Sequence, residues 1–256
     1  MHATTASTET LGLIGGMSWH STVDYYRAIN ARVAEALGGH HSARILLSSV
    51  DFAEVRDQQV REDWDAAAAM LAGEARRLEA AGADRIAICT NLMHKVAPQV
   101  EAAITVPLEH IGDAVARSAA VLGAARVGVL GTDWVMREPF YRDRLARHGV
   151  DAIAPGAADR AVVDGIVWSE LTQGIVRDES REAYRAVVDR LVDAGAEAIV
   201  LACTEIQLLV GPGDAPVPVI DSMAAHADAL ARAALAPARA RGDLACRDAG
   251  ARRVSA

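Results

Sequence analysis

Short runs of β-branched and apolar residues alternate along the chain with longer stretches rich in Ala, Glu and Arg. The short runs predict six strands, at Leu11–Ile14, Arg44–Val50, Arg85–Cys89, Arg126–Leu130, Val150–Ile153 and Ala198–Cys203. The longer stretches predict seven helices, at Ser21–Glu35, Trp64–Ala80, Asp113–Leu122, Arg137–Arg147, Ala158–Gln173, Ser180–Ala194 and Met223–Leu235. Because the strands alternate with helices and are apolar on both faces, we expect an α/β fold with mostly parallel sheets flanked by helices.

Three landmarks recur in order at nearly one offset, which indicates an internal duplication. They pair Leu11–Gly16 with Val127–Thr132, Ala81–Thr90 with Ala194–Thr204, and Val106-Pro107 with Val217-Pro218. Gly12 and Gly128 are 116 positions apart, whereas Cys89 and Cys203 are 114 apart, so the repeat is approximate. The duplication predicts two pseudo-symmetric α/β domains, an N-terminal half at 11–113 and a C-terminal half at 114–219.

The segments outside the two halves are predicted to behave differently from them and from one another. Residues 220–235 are predicted to pack back on the N-terminal half. Residues 1–10 and 237–256 lack an apolar period and are predicted to be mobile tails, the second of which contains Cys246.

Composition narrows the class of partner. Of the 256 residues 52% are apolar and 23% charged, with a net charge of −8, which excludes a disordered or collagen-like chain. The acidic balance argues against nucleic acid or an anionic membrane, so we expect a small-molecule partner. The apolar run Ile199–Cys203 is far too short to span a membrane, and Met1–Thr10 is unlike a secretory signal. These features predict a cytoplasmic protein.

Cofactor chemistry has little support in the sequence. The three cysteines are widely spaced, so we expect reduced thiols rather than a disulfide framework. Lys95 is the single lysine and therefore the only residue that could form a Schiff base with pyridoxal phosphate. P-loop, HExxH and metal-site histidine spacings are absent from the sequence. We expect no metal and no cofactor.

Two cysteines occupy equivalent ends of predicted strands, as Cys89-Thr90-Asn91 and Cys203-Thr204-Glu205. Ligands of parallel α/β sheets collect at the carboxyl ends of strands, so the two thiols are predicted to line one cleft between the halves. Either cysteine alone would be read as a small buried hydrophobe. A pair suits inversion of a carbon centre, which needs a base on one face and an acid on the other. Backbone N–H groups or a helix N-terminus can lower a thiol pKa from its usual value of about 8.5, so that one thiol is ionised while the other keeps its proton.

Three motifs carry a family resemblance: Gly15-Gly16-Met17-Ser18-Trp19, Cys89-Thr90-Asn91-Leu92-Met93-His94 and Cys203-Thr204-Glu205-Ile206. They resemble the aspartate/glutamate racemase family, most closely its bacterial broad-specificity amino-acid racemases. The resemblance implies a racemase independent of pyridoxal phosphate, a homodimer, and Cys89 and Cys203 as the two bases. It also implies substrate contacts at Met17, Ser18, Gln59, Thr90, Asn91, Thr132, Thr204 and Glu205.

Several of these residues have a second interpretation. Ser18 and Thr132 are equally suited to capping a helix. Glu205 is suited to holding a substrate ammonium, orienting Cys203 or capping a helix. His94 belongs either to the site or to the packing around it. Ordinary roles are expected for Lys95, as a solvated charge, and for Trp19, Trp64, Trp134 and Trp168, as core or interface residues.

Two positions depart from the family pattern, and both lose polarity. Leu92 stands where relatives have threonine, and Val162 where relatives that act on acidic side chains commonly have lysine. These changes predict a preference for neutral over acidic amino acids, unless Arg56 or Arg160 compensates. Competing functions are decarboxylation or cis-trans isomerisation on the same scaffold, and amino-acid binding without turnover.

Overall fold

The computed structural model describes residues 8–236, and its framework is two parallel four-stranded sheets. The first has the order β2-β1-β3-β4, with β1 Thr10–Gly15, β2 Arg44–Ser49, β3 Arg85–Ile88 and β4 Leu108–Glu109. The second has the order β6-β5-β7-β8, with β5 Arg126–Gly131, β6 Asp151–Ile153, β7 Ala198–Ala202 and β8 Val219–Asp221. The predicted fold class and the six predicted strands are confirmed.

Helices flank both sheets in the part of the chain that the structure describes. They are α1 Trp19–Leu37, α2 Phe52–Val60, α3 Trp64–Ala80, α4 Ala97–Ala102, α5 Ile111–Leu122, α6 Asp133–Arg137, α7 Pro139–Ala146, α8 Ala157–Ser169, α9 Asp178–Asp193 and α10 Ser222–Leu235. Short 3₁₀ turns follow β3 and β7, at Leu92–Val96 and Ile206–Leu208.

The two sheets repeat the same contacts as well as the same strand order. A Cβ atom on Gly12 would lie 2.7 Å from Cδ1 of Ile86, and one on Gly128 would lie 2.9 Å from Cδ1 of Ile199. Each glycine therefore permits close packing of its strand against the neighbouring one. The backbone N–H of Ile86 donates to Pro107 and that of Ile199 to Pro218, both at 2.9 Å. The predicted pseudo-symmetry is confirmed.

The differences from the predicted elements have local causes. β4 and β8 are two and three residues long, too short to show a hydrophobic period. α2 lacks a regular apolar repeat. Its start is set by the N-cap residue Asp51, whose carboxylate accepts from the N–H of Ala53 at 2.9 Å. The helix predicted from Arg137 begins at Pro139, because Glu138 has extended backbone.

The prediction of a mobile tail is wrong for Glu9 and Thr10. Thr10 begins β1, and the buried carboxylate of Glu9 pairs with Arg85 at 3.1 Å, so an aperiodic sequence is fixed here by a long-range ion pair. The remaining predicted tail segments, residues 1–7 and 237–256 with Cys246, lie outside the described residues.

α10 packs against α1. Tyr25 Oη lies 3.0 Å from Nδ1 of His226, and Arg32 pairs with Asp228 at 2.7 Å.

We propose that the boundary between the two halves lies between residues 113 and 114, because the first sheet lies within 10–109 and the second within 126–221. None of the helices within residues 8–236 has the length and apolar character needed to cross a membrane.

Candidate active site

Both cysteines stand where a central strand of each sheet ends. Cys89 follows β3 directly, and its N–H donates to the carbonyl of Ile14 at 2.9 Å. Cys203 follows β7 in the same way. Cys89 is 0% exposed, whereas Cys203 is half-buried. The thiols therefore occupy equivalent ends of the duplicated unit.

Glu205 contacts the second thiol and joins the two halves. Its Oε2 accepts from Cys203 Sγ at 3.2 Å and from the Thr204 hydroxyl at 2.8 Å. Its Oε1 accepts from the Ser18 hydroxyl at 3.0 Å, and Ser18 follows β1 in the other half. Of the three interpretations of Glu205, these contacts favour orientation of Cys203.

The electrostatic surroundings of the thiols differ from the sequence-based expectation. Burial raises the pKa of Cys89. Burial also raises the pKa of Cys203, and the neighbouring Glu205 carboxylate raises it further. Neither thiol pKa is lowered toward neutrality, because burial disfavours the thiolate at both positions and outweighs the backbone hydrogen bond from Glu205 that favours it at Cys203.

A cavity of about 500 Å³ opens between α1 and the loops that follow α8 and β7. Ser18, Thr204 and Glu205 line it, together with Trp19, Leu171 and Leu208. Neither cysteine lines the cavity. The cavity therefore contacts the candidate site at Glu205 and does not extend to the thiols.

Ser18 and Thr132 are the N-cap residues of α1 and α6, but neither side chain makes the capping hydrogen bond. Ser18 donates to Glu205 instead. The Thr132 hydroxyl is buried and has no hydrogen-bond partner among the described atoms. A buried hydroxyl without a partner is costly, so Thr132 is open to a ligand.

Other predicted substrate contacts are engaged within the protein. Asn91 is buried, donates to the Ser222 hydroxyl at 2.9 Å and accepts from the Tyr141 hydroxyl at 3.1 Å. Gln59 is also buried, and its amide lies 3.3 Å from Sδ of Met93. Met17 belongs to the hydrophobic core of the N-terminal half. Ser222, which fixes Asn91, has no signal in the sequence that points to this contact.

The two residues after Met93 have structural roles. His94 is buried, with Nδ1 2.8 Å from the carbonyl of Thr90 and Nε2 accepting from the N–H of Ile111 at 3.2 Å. Lys95 pairs with Glu138 at 2.6 Å and lies 3.9 Å from the Trp64 ring centroid. The prediction of a solvated charge at Lys95 is wrong, because the carboxylate and the indole come from distant parts of the chain.

The chain matches the family described as Asp/Glu/hydantoin racemase over residues 14–230. It belongs to that family. The family resemblance inferred from the three motifs is confirmed.

Individual relatives of this racemase family agree with the assignment. A candidate Asp/Glu racemase from Yersinia pestis is 49% identical, with a TM-score of 0.85 over 89% of this chain and 100% of that one. An aspartate racemase homologue from Pyrococcus horikoshii is 29% identical, with a TM-score of 0.76 over 88% and 99% of the two chains. The broad-specificity amino-acid racemase RacX of Bacillus subtilis is 25% identical over 58% of this chain. The chain spans less than two thirds of the curated relatives that it matches, 63% in the case of RacX.

The two positions that depart from the family pattern lie in different surroundings. Leu92 is buried in the core cluster that contains Ile111 and Val115. Val162 is 43% exposed on α8. Arg160 is engaged by Asp133 at 3.1 Å. Only Leu92 therefore adds apolar surface to the interior.

Proposed function

We propose that this chain is a cofactor-independent amino-acid racemase whose two bases are Cys89 and Cys203. The observation that carries the proposal is the placement of the two thiols at equivalent strand ends, β3 and β7, of a duplicated unit. Membership of the racemase family supports it. The site lies in the cleft between the two halves, where each half contributes one thiol.

The two thiols carry both proton transfers of the reaction. One thiolate removes the α-proton from one face of the amino acid, so that the Cα–H bond breaks and an S–H bond forms. The opposite thiol then gives its proton to the other face of the carbanion, and the configuration is inverted. The thiol that began protonated ends as thiolate, so the enzyme is left ready for the opposite enantiomer.

Glu205 prepares Cys203 for this exchange. Its carboxylate accepts from the Cys203 thiol at 3.2 Å, which places it to hold the thiol proton while Cys203 acts as the base. The Ser18 and Thr204 hydroxyls fix the carboxylate on both of its oxygens. We place Glu205 as a positioning residue that acts through Cys203.

Thr132 is the hydroxyl best placed for substrate binding, since its Oγ1 is buried without a partner within residues 8–236. We propose that it donates to the substrate carboxylate. Met17, Gln59, Thr90 and Asn91 are proposed to shape the site around it. Asn91 does so through its bonds to Ser222 and Tyr141.

The proposed substrate class is neutral amino acids, because Leu92 replaces a hydroxyl with buried apolar surface. An acidic side chain that finds no partner in the site would cost about 1 to 3 kcal/mol, or roughly 5- to 150-fold in affinity. Val162 contributes less than the sequence suggests, since a Val162→Lys side chain would be solvated. We therefore expect that variant to shift the preference for aspartate less than threefold.

The resemblance also supports a homodimer, which sedimentation of the purified protein would test.

The function is tested by chiral analysis after incubation with single enantiomers of methionine, leucine, homoserine, aspartate and glutamate. We expect the opposite enantiomer to appear, with a higher kcat/KM for the neutral set. Carbon dioxide release, or binding without turnover, would contradict racemisation. A preference for aspartate would contradict the substrate class alone.

A further inference from the structure

The guanidinium of Arg56 lies between two indole rings. Its Cζ is 3.8 Å from the ring centroid of Trp168 and 5.6 Å from that of Trp134. Arg56 belongs to α2 of the N-terminal half, whereas the tryptophans belong to α6 and α8 of the C-terminal half. We refer to these three residues as the Arg56 clasp, because a cation from one half is held by two aromatic faces of the other.

Hydrogen bonds hold the two indoles in place. Trp168 Nε1 donates to Oδ1 of Asp164 at 3.1 Å, and the same oxygen accepts the N–H of Asp133 at 2.8 Å. Trp134 Nε1 donates to Glu62 of the N-terminal half at 3.4 Å. The Trp168 face is thus oriented by its own half, independently of Arg56.

Besides its contacts with the two rings, the Arg56 side chain makes only weak interactions. Within residues 8–236 it has no ion pair with a carboxylate, and its one side-chain hydrogen bond is a long one, 3.5 Å to Oε1 of Gln59. Arg160, by contrast, pairs with Asp133 at 3.1 Å. The Arg56 side chain can therefore leave the rings without breaking a salt bridge.

The site behind the clasp is closed in this structure. Cys89 is 0% exposed, and the cavity beside Ser18 and Glu205 does not reach it. Gln59, one turn after Arg56 in α2, contacts Met93 in the turn that follows Cys89. An amino acid therefore reaches Cys89 only after contacts around the site open.

The contacts between the two halves differ in burial, and therefore in the free energy needed to break them. The bond from Tyr141 to Asn91 is buried, and Lys95 of one half forms an ion pair with Glu138 of the other. The Arg56 clasp and the bond from Ser18 to Glu205 are partly exposed and contain no ion pair. Partly exposed contacts without an ion pair open at lower cost than buried ones. We propose that the Arg56 clasp is the gate of the site: its stack separates to admit the amino acid and re-forms to close the cleft. This inference rests on the proposed function only in naming an amino acid as the molecule that enters the site.

Alkylation of Cys89 by iodoacetamide tests the gate without any measurement of racemisation. The rate is read from the Cys89 peptide by mass spectrometry, on the full-length protein without substrate. We expect Trp168→Leu, which changes no charge, and Arg56→Met to speed alkylation about tenfold, in line with the strength of a partly desolvated cation–π contact. Trp168→Phe keeps an aromatic face and is expected to fall between Trp168→Leu and the wild type. Arg142→Met, at an exposed arginine of α7, serves as the control and should match the wild type.

A second cysteine separates opening from unfolding. Ala75 is fully buried in the core of the N-terminal half, so Ala75→Cys reports loss of the fold rather than motion of the cleft. The proposal requires that Trp168→Leu speeds alkylation at Cys89 and leaves it unchanged at residue 75. Equal Cys89 rates in all variants, or equal acceleration at both positions, would overturn it. Chiral analysis of the wild type tests the proposed function separately, so the two failures are distinguishable.

Discussion

The Cys203 thiol donates to Oε2 of Glu205 at 3.2 Å, and the other oxygen of that carboxylate accepts from Ser18 at 3.0 Å. A single carboxylate thus links a thiol at the end of β7 to the loop after β1. The reactivity of Cys203 is therefore coupled to the contact between the two halves of the chain.

Replacement of either thiol is expected to abolish most racemisation. Serine has a similar volume but is a far poorer base, so Cys89→Ser and Cys203→Ser should each lower kcat at least 100-fold. Chiral chromatography measures the rate, and the thermal midpoint shows that the fold is kept. Cys246→Ser, outside both cysteine motifs, is the matched control and should retain full activity. Near-normal turnover in either site variant would disprove the two-thiol mechanism.

Glu205→Gln is expected to change both the rate and its pH dependence. Burial and the Glu205 carboxylate together raise the pKa of Cys203, so the rate should rise with pH in the direction that uses Cys203 as the base. Removal of the negative charge lowers that pKa and moves the rise to lower pH. Loss of the proton acceptor reduces the maximal rate about 10- to 100-fold.

The pH–rate profile of Glu205→Gln between pH 6 and 10 is the measurement. Glu182→Gln, at an exposed position of α9, is the control and should keep the wild-type profile. If the profile of Glu205→Gln does not move, the assignment of Glu205 to Cys203 is incorrect.

Removal of metal ions is expected to leave the activity intact. Within residues 8–236 no three His, Cys, Asp or Glu side chains are grouped to hold a metal ion. Exhaustive dialysis against a chelator should therefore not lower kcat. Lys95→Arg should also remain active, because arginine can keep the ion pair with Glu138. Activity that is lost and then restored by added metal or pyridoxal phosphate would refute both expectations.

Three buried histidines are expected to make the fold sensitive to acid. The His94 ring centroid lies 4.3 Å from that of His110 and 5.9 Å from that of His226. Burial lowers the pKa of His94, that of His110 to about 2 and that of His226 to about 4. Unfolded histidine has a pKa of about 6.5, so unfolding takes up protons below that pH. Stability is therefore complete above pH 6.5 and is lost as the pH falls toward 4.

Each of these histidines should contribute about 1.4 kcal/mol per pH unit to that loss. Urea unfolding at pH 7.5, 6 and 5 gives the slope of the free energy of unfolding. His226→Gln should reduce the slope by one proton, whereas the exposed His40→Gln should leave it unchanged. A free energy of unfolding that is flat between pH 7.5 and 5 would contradict this account.

The sequence by itself determined the framework of this protein. Strand and helix patterns are local, so the six main strands were predictable to within about two residues. The duplication was readable because Gly12 and Gly128 are required for the same close packing against Ile86 and Ile199. The candidate thiols followed from that repeat, since equivalent strand ends in a duplicated unit place Cys89 and Cys203 alike.

The tertiary structure decided what surrounds those thiols. The bond between Ser18 and Glu205 joins residues 187 positions apart, and no local pattern encodes such a distance. The raised pKa values depend on burial, which is a property of the whole fold. The Arg56 clasp likewise arises only when α2 of one half meets α6 and α8 of the other. Side chains from separate elements meet only after the elements pack together. How they pack depends on contacts along the entire chain, so a local sequence pattern does not predict it.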